Sequence, residues 1–402
     1  MSRPLRIEYK RYFDLKGKQA EEFVHILADR TFLEDWCYKN PKLPDGKELC
    51  DLLIVYDDVA IIWQVKDLKL GTDGLYKKGD VKKNIRQISG ARRSLFDLKI
   101  PTELENPRRG KETFNPNSIN EVYLVSALLG EPQYFSSFAE TVNGQIIHVF
   151  TREFTELVLK ELDTIRDFID YLKEKEKLFS QSSIGITILG EEKELLAYYL
   201  SNMKSFKEFK KNSYIVITEG CWNDFVKKPE YLAKKQADEI SYGWDSIINR
   251  AHTCGGEYEK VAREMARSDR FERRFLAKSF FDAHIKSHNL PKDRNTFRRV
   301  IEMDGITYCF MFLDDPEPRE RKRNLLEAFC FIARGKYLKN KTVLGIATEL
   351  KIRPQCSYDF CLIELNEWTT DQQKELERIQ KETGFFLNLK MSQIHEDEYP
   401  LQ

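Results

Sequence analysis

Two apolar runs, Leu52-Leu53-Ile54-Val55-Tyr56 and Val59-Ala60-Ile61-Ile62-Trp63-Gln64-Val65, are separated only by Asp57-Asp58. Branched and aromatic residues fill both runs, and a two-residue connection between such segments makes a β-hairpin. The turn sets the register: Tyr56 opposes Val59, and counting back along both strands puts Asp51 opposite Gln64, with Cβ atoms about 4.5–5.5 Å apart. Lys66, two residues past Gln64, leaves its strand on the same face. A slip by one residue would scramble the apolar faces. An otherwise apolar hairpin is therefore expected to end in three convergent polar side chains.

The rest of the chain has the length for more than one core, since 402 residues predict two or three domains. Periodicity predicts a helix over 19–36, entered at Lys16-Gly17-Lys18, a basic helix over 80–99, strands over 121–129 and 146–150, and a long helix over 153–179. Residues 101–118, rich in Pro, Gly and Asn, read as a loop. Beyond residue 205 strands are expected at 213–220, 306–315, 341–350 and 360–365, among helical stretches such as 257–288 and 319–334. The expected class is α/β, with one domain over 1–180 and a second mixed α/β or α+β domain over 181–402.

Composition narrows the function classes. Lys plus Arg and Asp plus Glu both total 65, so polyanion affinity must come from a local patch and not from bulk charge. Hydrophobic residues at 41% and charged residues at 32% exclude disorder as the main state. No apolar run approaches the roughly 18 residues of a membrane span, and the N-terminus reads as no signal peptide, so a cytoplasmic protein without a membrane partner is expected. The eight cysteines (37, 50, 221, 254, 309, 330, 356 and 361) contain no CxxC and read as buried thiols. His284 and His288 lack the Glu of HExxH, Gly74 and Gly79 are followed by Asp80-Val81 and form no P-loop, and GxSxG is absent. His252, Cys254, Cys356 and Cys361 read as lone buried residues, and Trp222, Trp244 and Tyr242 as core or interface of the second domain.

Asp51, Gln64 and Lys66 are the parts that metal-assisted phosphodiester hydrolysis needs: oxygen ligands for a hard cation, and an ammonium beside the attacking water and the phosphate. A carboxylate of the first helix, Glu21 or Glu22, with Glu21 favoured, would complete the metal shell. The same groups also suit solvated strand ends. Glu21, Gly46-Lys47-Glu48-Leu49-Cys50-Asp51, the hairpin and Gln64-Val65-Lys66 together resemble the PD-(D/E)xK nucleases of the restriction-endonuclease-like fold, over about 50 residues. The sequence departs from that pattern at Cys50, which stands for Pro, and at Gln64, which stands for a carboxylate. The resemblance implies a restriction-endonuclease-like core and Mg²⁺, or Mn²⁺ in its place, bound by Asp51, Gln64 and Glu21, with Lys66 activating water.

Between residues 63 and 99 ten Lys or Arg stand against four Asp, a local excess suited to phosphate backbones. Lys82, Lys83, Arg86, Gln87, Arg92 and Arg93 are the expected contacts. Gln87 resembles a Gln of recombination-type relatives, although Ala91 stands where they carry Tyr. The expected function is a metal-dependent endonuclease acting on DNA, whose second domain supplies recognition, oligomerisation or regulation. This layout resembles bacterial anti-phage defence effectors, which implies a homo-oligomer or a protein partner from the same system. The alternatives are a nuclease-fold protein that has lost catalysis and binds nucleic acid or protein, and an interaction protein unrelated to nucleases.

Overall fold

The computed structural model describes residues 18–400 except 101, 131, 133–134, 136, 181–184, 207–213, 291–295, 314–317, 351–356 and 388–389. The expected residues Lys16, Gly17 and Cys356 lie outside the described residues. The chain divides into two compact units, Met1–Lys228 and Pro229–Gln402.

The first unit opens with α1 (Lys18–Phe32), which ends where Leu33 turns to φ +59°, earlier than the expected residue 36. β1 (Cys37–Lys39), β2 (Leu52–Tyr56) and β3 (Val59–Lys66) follow as antiparallel neighbours. Tyr56 pairs with Val59 and Leu52 with Trp63, the register that the two-residue turn dictates. Asp57 takes φ +51°, a conformation Asp tolerates. After α2 (Lys78–Arg92) the expected loop at 101–118 is instead largely a hairpin of β4 (Thr102–Asn106) and β5 (Gly110–Phe114). Its strands alternate buried Thr102, Leu104 and Asn106 with exposed Glu103 and Glu105, a period-2 pattern that turn-forming composition obscures.

β6 (Glu121–Leu128), β7 (Ala139–Val142) and β8 (Gln145–Thr151) complete, among the described residues, a six-stranded mixed sheet in the order β1-β2-β3-β6-β8-β7. β3, β6 and β8 run parallel. One face packs on α2 through Leu53, Ala60, Ile62, Leu124 and Ile147 against Ile85, Ile88 and Ala91. The other face buries Trp63, which stacks on Phe168 at 5.7 Å. Phe168 belongs to the second half of the expected 153–179 helix. That segment is broken into α3 (Arg152–Glu161) and α4 (Ile165–Ser180) because Thr164 accepts the Asp167 amide at 3.2 Å and caps a new helix.

The first unit runs past the expected boundary at 180/181. β9 (Gly185–Ile188), α5 (Glu192–Ser201), β10 (Tyr214–Ile217) and α6 (Cys221–Phe225) belong to it. Glu192 is fully buried and accepts from Tyr171 (3.0 Å) and from Lys175 of α4, whose ammonium also donates to the Phe138 carbonyl at 2.9 Å. Trp222, expected in the second domain, lies in this unit.

The second unit places α7 (Pro229–Asp238), α8 (Ser241–Thr253), α9 (Glu259–Ala266) and α10 (Arg270–Ser287) before a four-stranded sheet. That sheet holds β11 (Thr296–Met303) and β12 (Ile306–Leu313), with β13 (Thr342–Glu349) and β14 (Tyr358–Glu364) following α11 (Arg319–Lys336), in sequential order. α12 (Thr370–Thr383) packs on α11. β11 was not expected, although Asp304-Gly305 (φ +48° and +76°) is a strong hairpin signal. Trp244 is core, edge-on to Tyr308, and His284 donates Nε2–H to the Glu349 carbonyl, so the His284/His288 pair is structural. All seven described cysteines are free thiols. No helix among the described residues is long and apolar enough to cross a membrane.

The Lys175–Glu192 pair tests this division of the chain. Glu192→Leu leaves an uncompensated buried ammonium and should cost about 3–5 kcal/mol of first-unit stability, whereas Lys175→Met/Glu192→Leu should cost less than the single change. Urea denaturation followed by circular dichroism distinguishes the two.

Candidate metal centre

The hairpin delivers Asp51 and Gln64 to the end of the sheet where β3 and β6 finish. Leu53 and Ile62 sit on the α2 face, so alternation puts Asp51 and Gln64 there too. Both are buried, at 3% and 6% exposure. One Asp51 oxygen, Oδ2, accepts the Val65 backbone N–H and the Gln64 side-chain Nε2–H, each at 2.5 Å. In this arrangement Gln64 orients Asp51 with its nitrogen; as a cation ligand it would have to offer its oxygen.

Two further carboxylates reach Asp51. Glu21 from α1 and Glu48 each bring an oxygen so that all three carboxylate atoms lie within 4.8 Å of one another. Glu21, not its exposed neighbour Glu22, is therefore the helix carboxylate of the cluster. Glu48 was not among the expected ligands. The loop that carries it folds back on itself: Gly46, at φ +82°, donates to the Leu43 carbonyl, Leu43 donates to Lys47 and Leu49 donates to Pro41, each at 2.8 Å. Leu49 and Cys50 are thereby buried and Glu48 is left at the surface beside Asp51.

The backbone carbonyl of Asp51 is also used. His25, one turn after Glu21 on α1, donates Nε2–H to it at 2.8 Å, and the Asn40 amide N–H donates at 3.0 Å. Burial pushes the His25 imidazole pKa down, which favours the neutral donor. Beyond Gln64, Ser126 is its parallel partner on β6 and accepts from Asn84 of α2 at 2.8 Å. Asn84 is buried in a basic helix, and its only sequence signal is its spacing from Ile85 and Ile88 on the packed face.

Burial raises the Asp51 carboxyl to about 6, with Glu21 and Glu48 adding to the rise while the Val65 amide and the Lys66 charge oppose it. The Lys66 ammonium makes no hydrogen bond or ion pair with any described residue, while its backbone carbonyl accepts from the Leu129 amide at 2.9 Å. Its influence on Asp51 is through space, as expected for the next residue on the same face. A group of hard oxygen donors whose repulsion lifts a neighbour's pKa fits a divalent cation, which would relieve that repulsion.

The expected phosphate contacts separate on α2. Lys82, Lys83, Arg86, Gln87 and Arg93 are exposed. Arg92 is instead engaged with Asp97 at 2.8 Å, because a π-turn over Arg93–Asp97 brings that carboxylate back to the helix end.

Glu21→Gln and Glu48→Gln should each lower the Asp51 pKa from about 6, read from the pH dependence of its carboxyl carbon resonance. Neither should reach the ordinary value, since burial persists. Each should weaken Mn²⁺ binding at least about tenfold by calorimetry, the scale of losing one charged ligand, while Glu22→Gln should leave it unchanged. No protein-family model and no curated protein matches this chain.

Proposed function

We propose that the first unit is a divalent-metal-dependent nuclease with a PD-(D/E)xK-type site and a restriction-endonuclease-like core, hydrolysing phosphodiester bonds in DNA. The observation that carries this reading is the meeting of Glu21, Glu48 and Asp51 within 4.8 Å, beside Gln64 and in the field of Lys66. Mg²⁺ or Mn²⁺ held by those oxygens would acidify a bound water and offset charge on the phosphate. Asp51 is oriented by Val65 and Gln64, and Lys66 offers an unpaired ammonium on the same face to attract the phosphodiester and stabilise negative charge developing on it. Lys82, Lys83, Arg86 and Arg93 supply sequence-independent affinity for the backbone, with Gln87 as a neutral hydrogen-bonding partner.

The full chain incubated with plasmid or single-stranded DNA should cleave with Mg²⁺ or Mn²⁺ and not with EDTA. Asp51→Asn and Lys66→Ala should each reduce kcat by roughly two orders of magnitude or more, the equivalent of several kcal/mol of transition-state stabilisation, with no loss of melting temperature. Cleavage that persists in EDTA would remove the metal from the reading. Salt-dependent DNA binding without cleavage in either metal would favour the catalytically silent alternative, for which the Gln64 nitrogen facing Asp51 is the supporting observation.

Gln64→Glu separates the two roles open to that side chain. If residue 64 lies in the cation's coordination shell, the added charge should lower the Mg²⁺ concentration for half-maximal cleavage several-fold. An unchanged requirement in an active variant would leave residue 64 as the group that orients Asp51, and the ligand set as Glu21, Glu48 and Asp51.

A further inference from the structure

In the candidate metal centre three carboxylates meet from three segments, and like charges within 4.8 Å of one another repel. Asp51 is held against that repulsion by the sheet. Its amide donates to the Trp63 carbonyl at 3.2 Å, and its Oδ2 accepts from Val65 and Gln64. Glu21 has no such support, because its side chain makes no hydrogen bond or ion pair with any described residue. What keeps it beside Asp51 is therefore the placement of α1.

Apolar burial seats part of that helix, with Val24 and Ala28 fully buried. Burial is non-directional and tolerates small slides and rotations of a helix. A hydrogen bond has a preferred length and angle and tolerates them less. Two polar ties of α1, from Thr31 to the Leu159 carbonyl at 2.9 Å and from Lys39 to Asp29, lie in its second half, away from Glu21. In the first half the tie is His25. Four residues after Glu21, on the same face and 8% exposed, it donates Nε2–H to the Asp51 carbonyl at 2.8 Å. The bond thus joins the helix that carries one carboxylate to the residue that carries another. The same carbonyl accepts the Asn40 amide at 3.0 Å, so deleting the His25 donor leaves that oxygen partnered and removes chiefly the restraint on α1.

We infer that His25 is a positioning residue of the metal centre: its bond to the Asp51 carbonyl fixes how far α1 holds Glu21 from Asp51 and Glu48, and that fixed spacing favours Mg²⁺ over the larger Ca²⁺. The inference rests on the reading of the cluster as a divalent-cation site and not on cleavage of DNA. Mg²⁺ demands near-octahedral oxygens at about 2.0–2.1 Å, whereas Ca²⁺ accepts oxygens at about 2.3–2.6 Å in flexible geometry. A helix free to slide therefore costs the smaller cation more.

Calorimetry on the full chain, without DNA, tests this. His25→Met removes the donor from a side chain of similar reach. It should weaken Mg²⁺ binding at least about tenfold, the scale of losing a group that orients a ligand, and Ca²⁺ binding by no more than about threefold, given its looser geometry. His25→Gln keeps an N–H donor at nearly the same distance from the backbone and should recover most of the Mg²⁺ affinity. Unchanged Mg²⁺ binding in His25→Met, a Gln variant as weak as the Met variant, or equal losses for both cations would each overturn the inference. A double-mutant cycle reads the same coupling without metal. Glu21→Gln relieves repulsion where the helix is pinned, so it should raise the melting temperature more in the wild type than in His25→Met, where α1 can already move away. Equal gains would overturn the positioning role. A wild type that binds neither cation overturns the metal reading and the selectivity with it, while the cycle still decides whether His25 holds Glu21. Should His25→Met fold poorly, His25→Asn, whose amide stops one bond short of the carbonyl, takes its place in both measurements.

Discussion

The Val65 amide and the Gln64 side chain donate to one and the same oxygen of Asp51, and this pair of hydrogen bonds holds a carboxylate where burial disfavours its charge. The carboxylate so held has an oxygen within 4.8 Å of one from Glu21 and one from Glu48. The carbonyl of the same residue takes His25 and Asn40. Helix, loop and both hairpin strands therefore meet at a single amino acid. Register matters more here than the identity of any one ligand, because shifting β2 by one residue would turn Asp51 to the other face and break all of these contacts together.

That register is also why part of the centre can be read without coordinates. A two-residue turn and strict alternation leave one way to place Asp51 near Gln64 and Lys66; the strands hold that register as far as Leu52 and Trp63, and the Gln64 side chain then reaches the Asp51 carboxylate. Glu48 and His25 are invisible to the same reasoning. Glu48 reaches Asp51 through a loop that folds back on Gly46, and His25 through the packing of α1 on the sheet; both are tertiary routes with no period to follow. Glu21 lies between these cases, since helical spacing favours it only narrowly over Glu22 and the packed helix separates them.

The misread elements fail for local reasons. At 101–118 Pro, Gly and Asn crowd the turn and hide strands whose inward residues include Thr102 and Asn106, polar side chains that apolar alternation does not count. At 153–179 the apolar period continues across Leu162, but Thr164 caps a second helix and redirects the chain. At Asp304-Gly305 the turn chemistry is explicit, and strand β11 is masked by Arg298, Arg299 and Glu302 within it. The expected boundary at 180/181 falls early because the Lys175–Glu192 pair, which carries α5 back onto α4, joins residues whose type argues for solvent.

The neutral residue at position 64 follows from the charge already gathered around it. Three carboxylates share a space less than 5 Å across, with Lys66 as the nearby cation. A Glu at 64 would set a fourth negative charge in contact with the most deeply buried of the three, at the position from which the Gln64 nitrogen now donates. Repulsion between two carboxylates at that distance would push one of them toward its protonated form, as happens wherever two acids share a site. The amide removes that repulsion and adds a donor, so Asp51 stays oriented whether or not its charge is balanced by a cation. The same substitution gives up one unit of attraction for the cation. Glu48, reaching in from the loop, restores a third carboxylate from the solvent side, where its own desolvation is smaller than it would be at position 64.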